Sequence, residues 1–448
     1  MATVLVLGAG RVTGPLFEYL HQREITFSVV SCINTELEHV KGKYPAVACY
    51  CLDVSDPQLP TLIENHKLIV NLFPCTLTFP VAKMCVDLKR PMISASYVSP
   101  EVQELHERAV ESGVLLLYEC GLDPGIDHML AMQVINDVVS RGGKVTSFTS
   151  WCGGLPAPEC CNNPLKYKFS WNPKTALKSC LRDAACIRSG QLVKIPGGDT
   201  LRSSRQVDMG MLLPDVQFEG YPNELSQHHI EAYGLQSADY IFRGTLRYLG
   251  FSDAVQGLIQ AGLFSETPLP QLQPEFPDIT WKDLLCCMVT GSAKADDLER
   301  QLLSKLNESE SRLSVLKGLG LLSDTIVEKK LTPFDTFAAY LEKHLAYAPG
   351  ERDMTIMQHE ITATLPGQQS RKETTRVGLC AFGDPDGHSA MAKTVGYTVG
   401  IGVEMILKGE IQKTGVVLPT TADMYMPMLA ALRQLGITAQ VSVEAGHA

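Results

Sequence analysis

Asp123, in the run Gly121-Leu122-Asp123-Pro124-Gly125, and His128 a few residues on are residues whose types can hold or move a proton. Arg243 and Arg247 stand four apart with Thr245 and Leu246 between them. If they line a cleft, their guanidinium forks suit two-point capture of carboxylates. Cys152 precedes Gly153-Gly154 and is either a site thiol or a small buried filler. Plainer roles stand beside these. Asp before Pro forms turns, arginines cap strands at the surface, and a histidine at a helix start can be satisfied locally. The eleven histidines offer no H-x-x-x-H pair on a clear helix, and His228 and His229 are adjacent. No metal site is expected.

A second constellation opens the chain. The apolar run Val4-Leu5-Val6-Leu7 leads into Gly8-Ala9-Gly10-Arg11-Val12-Thr13-Gly14, and a helical pattern (Leu16, Phe17, Leu20) follows Pro15. Buried strand, glycine turn and helix together form the setting for a dinucleotide. Gly8 permits the tight turn, Gly10 admits the pyrophosphate, and the helix N-terminus offers free N–H groups. The third glycine of G-x-G-x-x-G is displaced: Thr13 holds its place and Gly14 comes one residue late. No Walker lysine follows, so a dinucleotide fits better than a phosphate donor.

Strands and helices must alternate to place these residues. Strand patterns at 27–32, 48–52, 68–73, 92–97 and 114–120 are separated by helical ones, including one predicted over 100–112. That alternation specifies a doubly wound, Rossmann-type parallel sheet, α/β in class. Ligands of such sheets sit beyond the carboxyl ends of the strands, where Cys32, Phe73-Pro74, Ser96-Tyr97 and Leu122-Asp123 fall. After the second strand the chain reads Cys32-Ile33-Asn34-Thr35, with no acid before Glu36 and no arginine. This leans toward NADP, with NAD as the other option; Thr35, Lys41 and Lys43 are either phosphate donors or solvated surface. From Lys144 the character changes to a second α+β domain with a mixed sheet. Residues 252–349 read as an all-helical insertion. A hairpin around Pro366-Gly367-Gln368-Gln369 then returns the chain to the second sheet, and helices predicted over 390–407 and 425–435 pack back on the first domain. The expected domains are 1–125 plus 386–448, 126–251 plus 350–385, and 252–349.

At 448 residues with 45% hydrophobic content, the chain has ample core for two or three domains. A net charge of −10 argues against nucleic acid as a partner. No apolar run is long enough for a membrane span. The first strand begins too early to leave room for a targeting segment. Fourteen scattered cysteines without C-x-x-C fit a reducing compartment, with a cytoplasmic location the default.

Six stretches in order carry a resemblance: 94–100 (Ser-Ala-Ser-Tyr-Val-Ser-Pro), 121–128 (Gly-Leu-Asp-Pro-Gly-Ile-Asp-His), 152–159 (Cys-Gly-Gly-Leu-Pro-Ala-Pro-Glu), 163–171 (Asn-Pro-Leu-Lys-Tyr-Lys-Phe-Ser-Trp), 243–248 (Arg-Gly-Thr-Leu-Arg-Tyr) and 389–396 (Ser-Ala-Met-Ala-Lys-Thr-Val-Gly). Over essentially its whole length the chain closely resembles the L-glutamate-forming saccharopine dehydrogenases, also called saccharopine reductases. The resemblance implies an oxidoreductase of lysine biosynthesis, with a hydride passing between NADP(H) and the carbon beside the secondary amine of saccharopine. The imine then yields glutamate and aminoadipate semialdehyde. It implies substrate contacts at Ser96, Tyr97, Leu122, Asp123, Thr245, Leu246 and Arg247. Cofactor contacts are implied in the Gly8–Thr13 turn, at Cys32, Ile33 and Asn34, at Leu72, Phe73 and Pro74, and at Ala95 and Ser96. Asp123, Tyr97 and Cys152 are the candidates for tuning the proton of the amine. A homodimer is a possible assembly.

Two positions depart from the family. Its Tyr-Pro-Asn-Arg reads Tyr221-Pro222-Asn223-Glu224 here, placing an anion where a carboxylate ligand is expected, unless Arg202 or Arg205 substitutes. The residues after the second strand match neither the fungal arginine nor the animal acid. The alternatives are an imine-reducing dehydrogenase with another amine or dicarboxylate substrate, and a non-catalytic NADP(H)-binding protein.

Overall fold

In the computed structural model the described residues are 3–170, 173–224, 227–292, 297–366 and 371–445. Trp171 and the expected hairpin turn at 367–369 lie outside them. The chain divides into two compact units: Met1–Ser147 with His228–Ser237 and Met354–Ala448, and Phe148–Gln227 with Ala238–Asp353.

The first unit is built on strands β1 (Val4–Leu7), β2 (Phe27–Ser31), β3 (Ala48–Cys51), β4 (Leu68–Asn71), β5 (Met92–Ser94) and β6 (Leu115–Leu117). β1, β2, β4, β5 and β6 are buried along their whole length, which is why β1 and β6 read as unbroken apolar runs and the others are mostly apolar. They pair in the order 3-2-1-4-5-6, all parallel, and Gly415–Val417 adds a seventh strand beside β6. The order reverses at β1 and β4, whose carboxyl ends open the crevice that doubly wound sheets use for ligands.

The strand patterns over 92–97 and 114–120 are cut short at Ser94 and Leu117. The Ser94 hydroxyl accepts from the Ser96 N–H and its carbonyl from the Cys120 N–H, which draws both segments out of the ladder. The helix expected over 100–112 is two pieces, Pro100–Gln103 and His106–Glu111. The strand at 415–417 was not foreseen; three residues are too few to show a period.

Helix α1 (Gly14–Gln22) follows the glycine turn with Pro15 in its first turn. Against it lies the helix Ala390–Leu407. A Cβ at Gly396 would stand 2.9 Å from the Leu16 nitrogen and the Val12 carbonyl oxygen, and one at Gly400 2.8 Å from the Tyr19 ring, so glycines on the arriving helix make the close approach to α1. Thr13, at the place of the motif's third glycine, donates its hydroxyl to the Gly10 carbonyl at 2.8 Å. Tyr19 donates to Glu404 across the same contact, and the Arg23 guanidinium joins that carboxylate at 3.2 Å. The unit also holds an antiparallel set, Asp353–Leu365, Arg371–Phe382 and the unforeseen Ala439–Ala445.

In the second unit Arg205–Val207, Phe218–Pro222, Tyr240–Tyr248, Ala184–Arg188 and Gln191–Ile195 pair antiparallel. Five helices of eight or more residues, from Phe251–Gln260 to Pro333–His344, occupy the stretch expected to be helical. Thr280, Ser309 and Thr332 cap three of them through side-chain oxygens.

Candidate active site

Because the sheet is parallel, the ends of β1, β4, β5 and β6 deliver their following residues to one edge. Gly8, at the end of β1, has φ +106 and would place a Cβ 2.9 Å from the Leu72 carbonyl oxygen, so only glycine joins the two strand ends here. Gly10 meets nothing closer than the Glu36 carboxylate at 3.7 Å and is exposed, as is Arg11; Ala9 and Val12 are half-buried. This bare turn, with the N-terminus of α1 behind it, fits the pyrophosphate of a dinucleotide. Cys32, Ile33 and Asn34 are exposed beyond β2. Leu72 and Phe73 are half-buried and Pro74 exposed beyond β4. The Phe73 N–H donates to Asn71, whose own amide nitrogen is buried with no hydrogen-bond partner among the described residues.

At the adenosine end the structure supplies an acid that the sequence spacing hid. Helix Asn34–Lys43 begins directly after β2 and turns Glu36 back, so the Ser31 hydroxyl donates to its carboxylate at 2.6 Å. Of the lysines considered there, Lys43 pairs with Glu18 at 3.9 Å.

Beyond β5 and β6 lie the residues expected to meet the substrate. The exposed Tyr97 donates its phenol hydrogen to Asp123 at 2.6 Å. Ala95 and Ser96 are half-buried; a Cβ on Gly121 would stand 3.2 Å from that of Ala95, so the loops after the two strands are in contact. Leu122 is buried, and its carbonyl accepts from the Asp127 N–H. Gly125, at φ +147, lies so close to the Gly121 backbone that no side chain fits. These contacts fix Asp123 at the mouth of helix Ile126–Ser140.

His128 is fully buried and satisfied on both ring nitrogens. Nε2 meets Glu119 at 2.6 Å and Nδ1 meets the Tyr233 hydroxyl at 2.5 Å. His229 joins the same carboxylate at 3.4 Å and sets its ring edge-on to Tyr97, centroids 5.9 Å apart. Spacing had shown none of this. The available signal was the one-turn separation of His229 and Tyr233.

In the second unit Arg243 and Arg247 are both buried and lie on one face of Tyr240–Tyr248. The Arg247 guanidinium sits 4.8 Å from the Tyr167 ring centroid, 5.2 Å from Phe251 and 5.8 Å from Tyr221. One nitrogen donates to the Leu246 carbonyl at 2.7 Å, and Nε has no partner among the described residues. Burial pushes the Tyr221 phenol up while Arg247 draws it down. A buried guanidinium with a spare Nε among the described residues has the donor chemistry that holds a carboxylate. Leu246 is buried, with Gly153 against its backbone; Thr245 and Cys152 are half-buried, and Cys152 is near enough to Arg247 to act on its charge. Glu224 lies exposed past the end of Phe218–Pro222. Arg202 is paired with Asp199, and Arg205 lies over the rings of Trp151 and Phe242.

A doubly wound sheet with a bare glycine turn at its switch point and a phenol–carboxylate pair on the same edge defines a nicotinamide-dinucleotide oxidoreductase. The chain belongs to the saccharopine dehydrogenase family. Its residues 4–117 match the family's NADP binding domain and 121–437 its C-terminal domain. It is 34% identical over 445 residues to the saccharopine dehydrogenase [NADP(+), L-glutamate-forming] of Schizosaccharomyces pombe, covering 98% of each chain. It is 37% identical to the mitochondrial alpha-aminoadipic semialdehyde synthase of Rattus norvegicus over 97% of this chain and 47% of that protein, so it spans about half the length of the mammalian relatives. The apo saccharopine dehydrogenase (L-Glu forming) of Saccharomyces cerevisiae superposes with a TM-score of 0.88 at 29% identity, covering 99% of this chain and all of the other.

Proposed function

We propose that the protein is a saccharopine dehydrogenase, transferring a hydride between NADP(H) and the carbon beside the secondary amine that joins glutamate to the aminoadipate chain. The observation that carries this reading is the Tyr97–Asp123 pair on the same sheet edge as the Gly8–Thr13 turn. When bound, the dinucleotide supplies the hydride acceptor or donor. The protein's own residues orient the amine and hold its proton. With Asp123 ionised, the Tyr97 phenol is anchored as a donor, and the pair holds a proton at the phenol oxygen within reach of an amine nitrogen. Hydride transfer asks mainly for proximity and exclusion of water. The substrate carries three carboxylates, and Arg247 fits one of them. In the oxidative direction the imine takes up water and its C–N bond breaks, giving glutamate and aminoadipate semialdehyde.

The biosynthetic direction, a cytoplasmic location and a homodimer belong to the same proposal. So does the division into 1–125 plus 386–448, 126–251 plus 350–385, and 252–349. A reducing compartment is supported by the spacing of the fourteen cysteines, scattered and without C-x-x-C.

The test is the purified protein with saccharopine and NADP+ or NAD+, following absorbance of the reduced nicotinamide and assaying glutamate. Saccharopine-dependent reduction with equimolar glutamate is expected. Dinucleotide binding without turnover would overturn the reading in favour of a non-catalytic binder.

A further inference from the structure

Glu119 is the least expected residue of the first unit: a fully buried carboxylate on a non-glycine residue with φ +59. The left-handed backbone is strained for a residue with a side chain, and an isolated buried carboxylate costs considerably more. What Glu119 touches accounts for both. Its N–H donates to the Ser96 carbonyl at 3.2 Å, and its Oε1 accepts from the Val98 N–H at 2.9 Å. Those two bonds clamp the loop on either side of Tyr97. Its Oε2 takes the His128 Nε2 hydrogen at 2.6 Å, which leaves Nδ1 to accept from the Tyr233 hydroxyl, and His229 stands 3.4 Å from the same oxygen. His229 in turn lies edge-on to the Tyr97 ring. Asp127, 4.0 Å from His128, is turned to the Gly125 N–H.

We propose that Glu119, with His128, His229 and Tyr233, is a positioning network that sets Tyr97 against Asp123 without touching the substrate. The donor atoms of Glu119, His128 and His229 lie within 4.8 Å of one another, a grouping that can also hold a metal. Two ligands of a tetrahedral zinc ion stand about 3.3 Å apart, whereas His128 and Glu119 meet at 2.6 Å, a hydrogen-bond length. The network is therefore read as hydrogen-bonded.

The inference rests on the dehydrogenase reading only for its kinetic arm. Glu119→Ala and Glu119→Gln are each made alone and in a Tyr97→Phe background. Glutamine keeps an oxygen for the Val98 N–H and a donor for a re-tautomerised His128. Glu119→Ala is expected to lower kcat by up to about tenfold, no more than Tyr97→Phe does, with KM for the dinucleotide unchanged, Glu119→Gln to restore most of the loss, and Glu119→Ala to add nothing once Tyr97 is Phe. Additive losses, equal losses in both variants, or a stoichiometric divalent metal whose chelation abolishes activity would each overturn it. The second arm needs no turnover. In ring-labelled tyrosine NMR, with Tyr97 assigned by Tyr97→Phe, its signal should move in Glu119→Ala or, if that variant does not fold, in Tyr233→Phe. An unmoved Tyr97 signal sinks the network whatever the enzyme's substrate.

Discussion

In the proposed reaction the phenol of Tyr97 and the carboxylate of Asp123, hydrogen-bonded to each other, divide one task, so neither is indispensable there. Tyr97→Phe and Asp123→Asn should each lower kcat about tenfold, below what a dedicated acid or base contributes, with KM for NADP unchanged in steady-state assays. Arg247 makes an opposite kind of prediction. A buried cation without an anion weakens the fold, while a charged hydrogen bond to a carboxylate contributes about 1.5–3 kcal/mol. Arg247→Met should therefore raise KM for saccharopine roughly 10- to 100-fold and leave Tm equal or higher by calorimetry. Glu36 stands where a 2′-phosphate would approach the end of β2. Glu36→Ala should lower KM for NADP more than KM for NAD. Cys32 gives a test free of turnover: it and Cys51 are both exposed, and bound dinucleotide should protect Cys32, not Cys51, from alkylation, read by mass spectrometry of the peptides.

The pairing of α1 with helix Ala390–Leu407 has its own pH dependence. Burial, and then the Glu404 carboxylate, raise the Tyr19 phenol from 10.0 to about 12. Between those values the folded protein holds a proton that the unfolded chain has released. Stability accordingly falls as pH rises through that window and is unaffected below it. Thermal melts from pH 9 to 12 should show a steeper loss for the native protein than for Tyr19→Phe. The same contact shows where the sequence was legible and where it was not. The glycine turn and the helical stretch after 252 are local patterns, legible from periodicity and turn residues, whereas the strands read over 92–97 and 114–120 end early, at Ser94 and Leu117. Tyr19 and Glu404 meet over a separation no local period encodes. The close approach of Gly396 and Gly400 to α1 is likewise invisible to local spacing. Glu36 was passed over because spacing alone does not show a helix beginning at Asn34.

The molecule as a whole depends on such distant meetings. The resemblance pointed to Tyr97, Asp123 and Arg247 by their motifs. It said nothing of Glu119, His128, His229 and Tyr233, since a buried charge is compensated by whatever the fold brings to it. Asn71 and Arg247 are a further instance: each keeps an unpartnered buried nitrogen, and composition cannot show which donors of a chain will be left over.

The strand Gly415–Val417 is made late but belongs to the sheet begun by β1, and the helix before it covers α1. About 300 residues separate Leu117 from Gly415, which at ribosomal speed is roughly 15–60 s of synthesis. Throughout that interval the newborn nucleotide fold has an open edge and an uncovered α1. A chain ended before Ala390 would leave that edge and that face of α1 permanently bare.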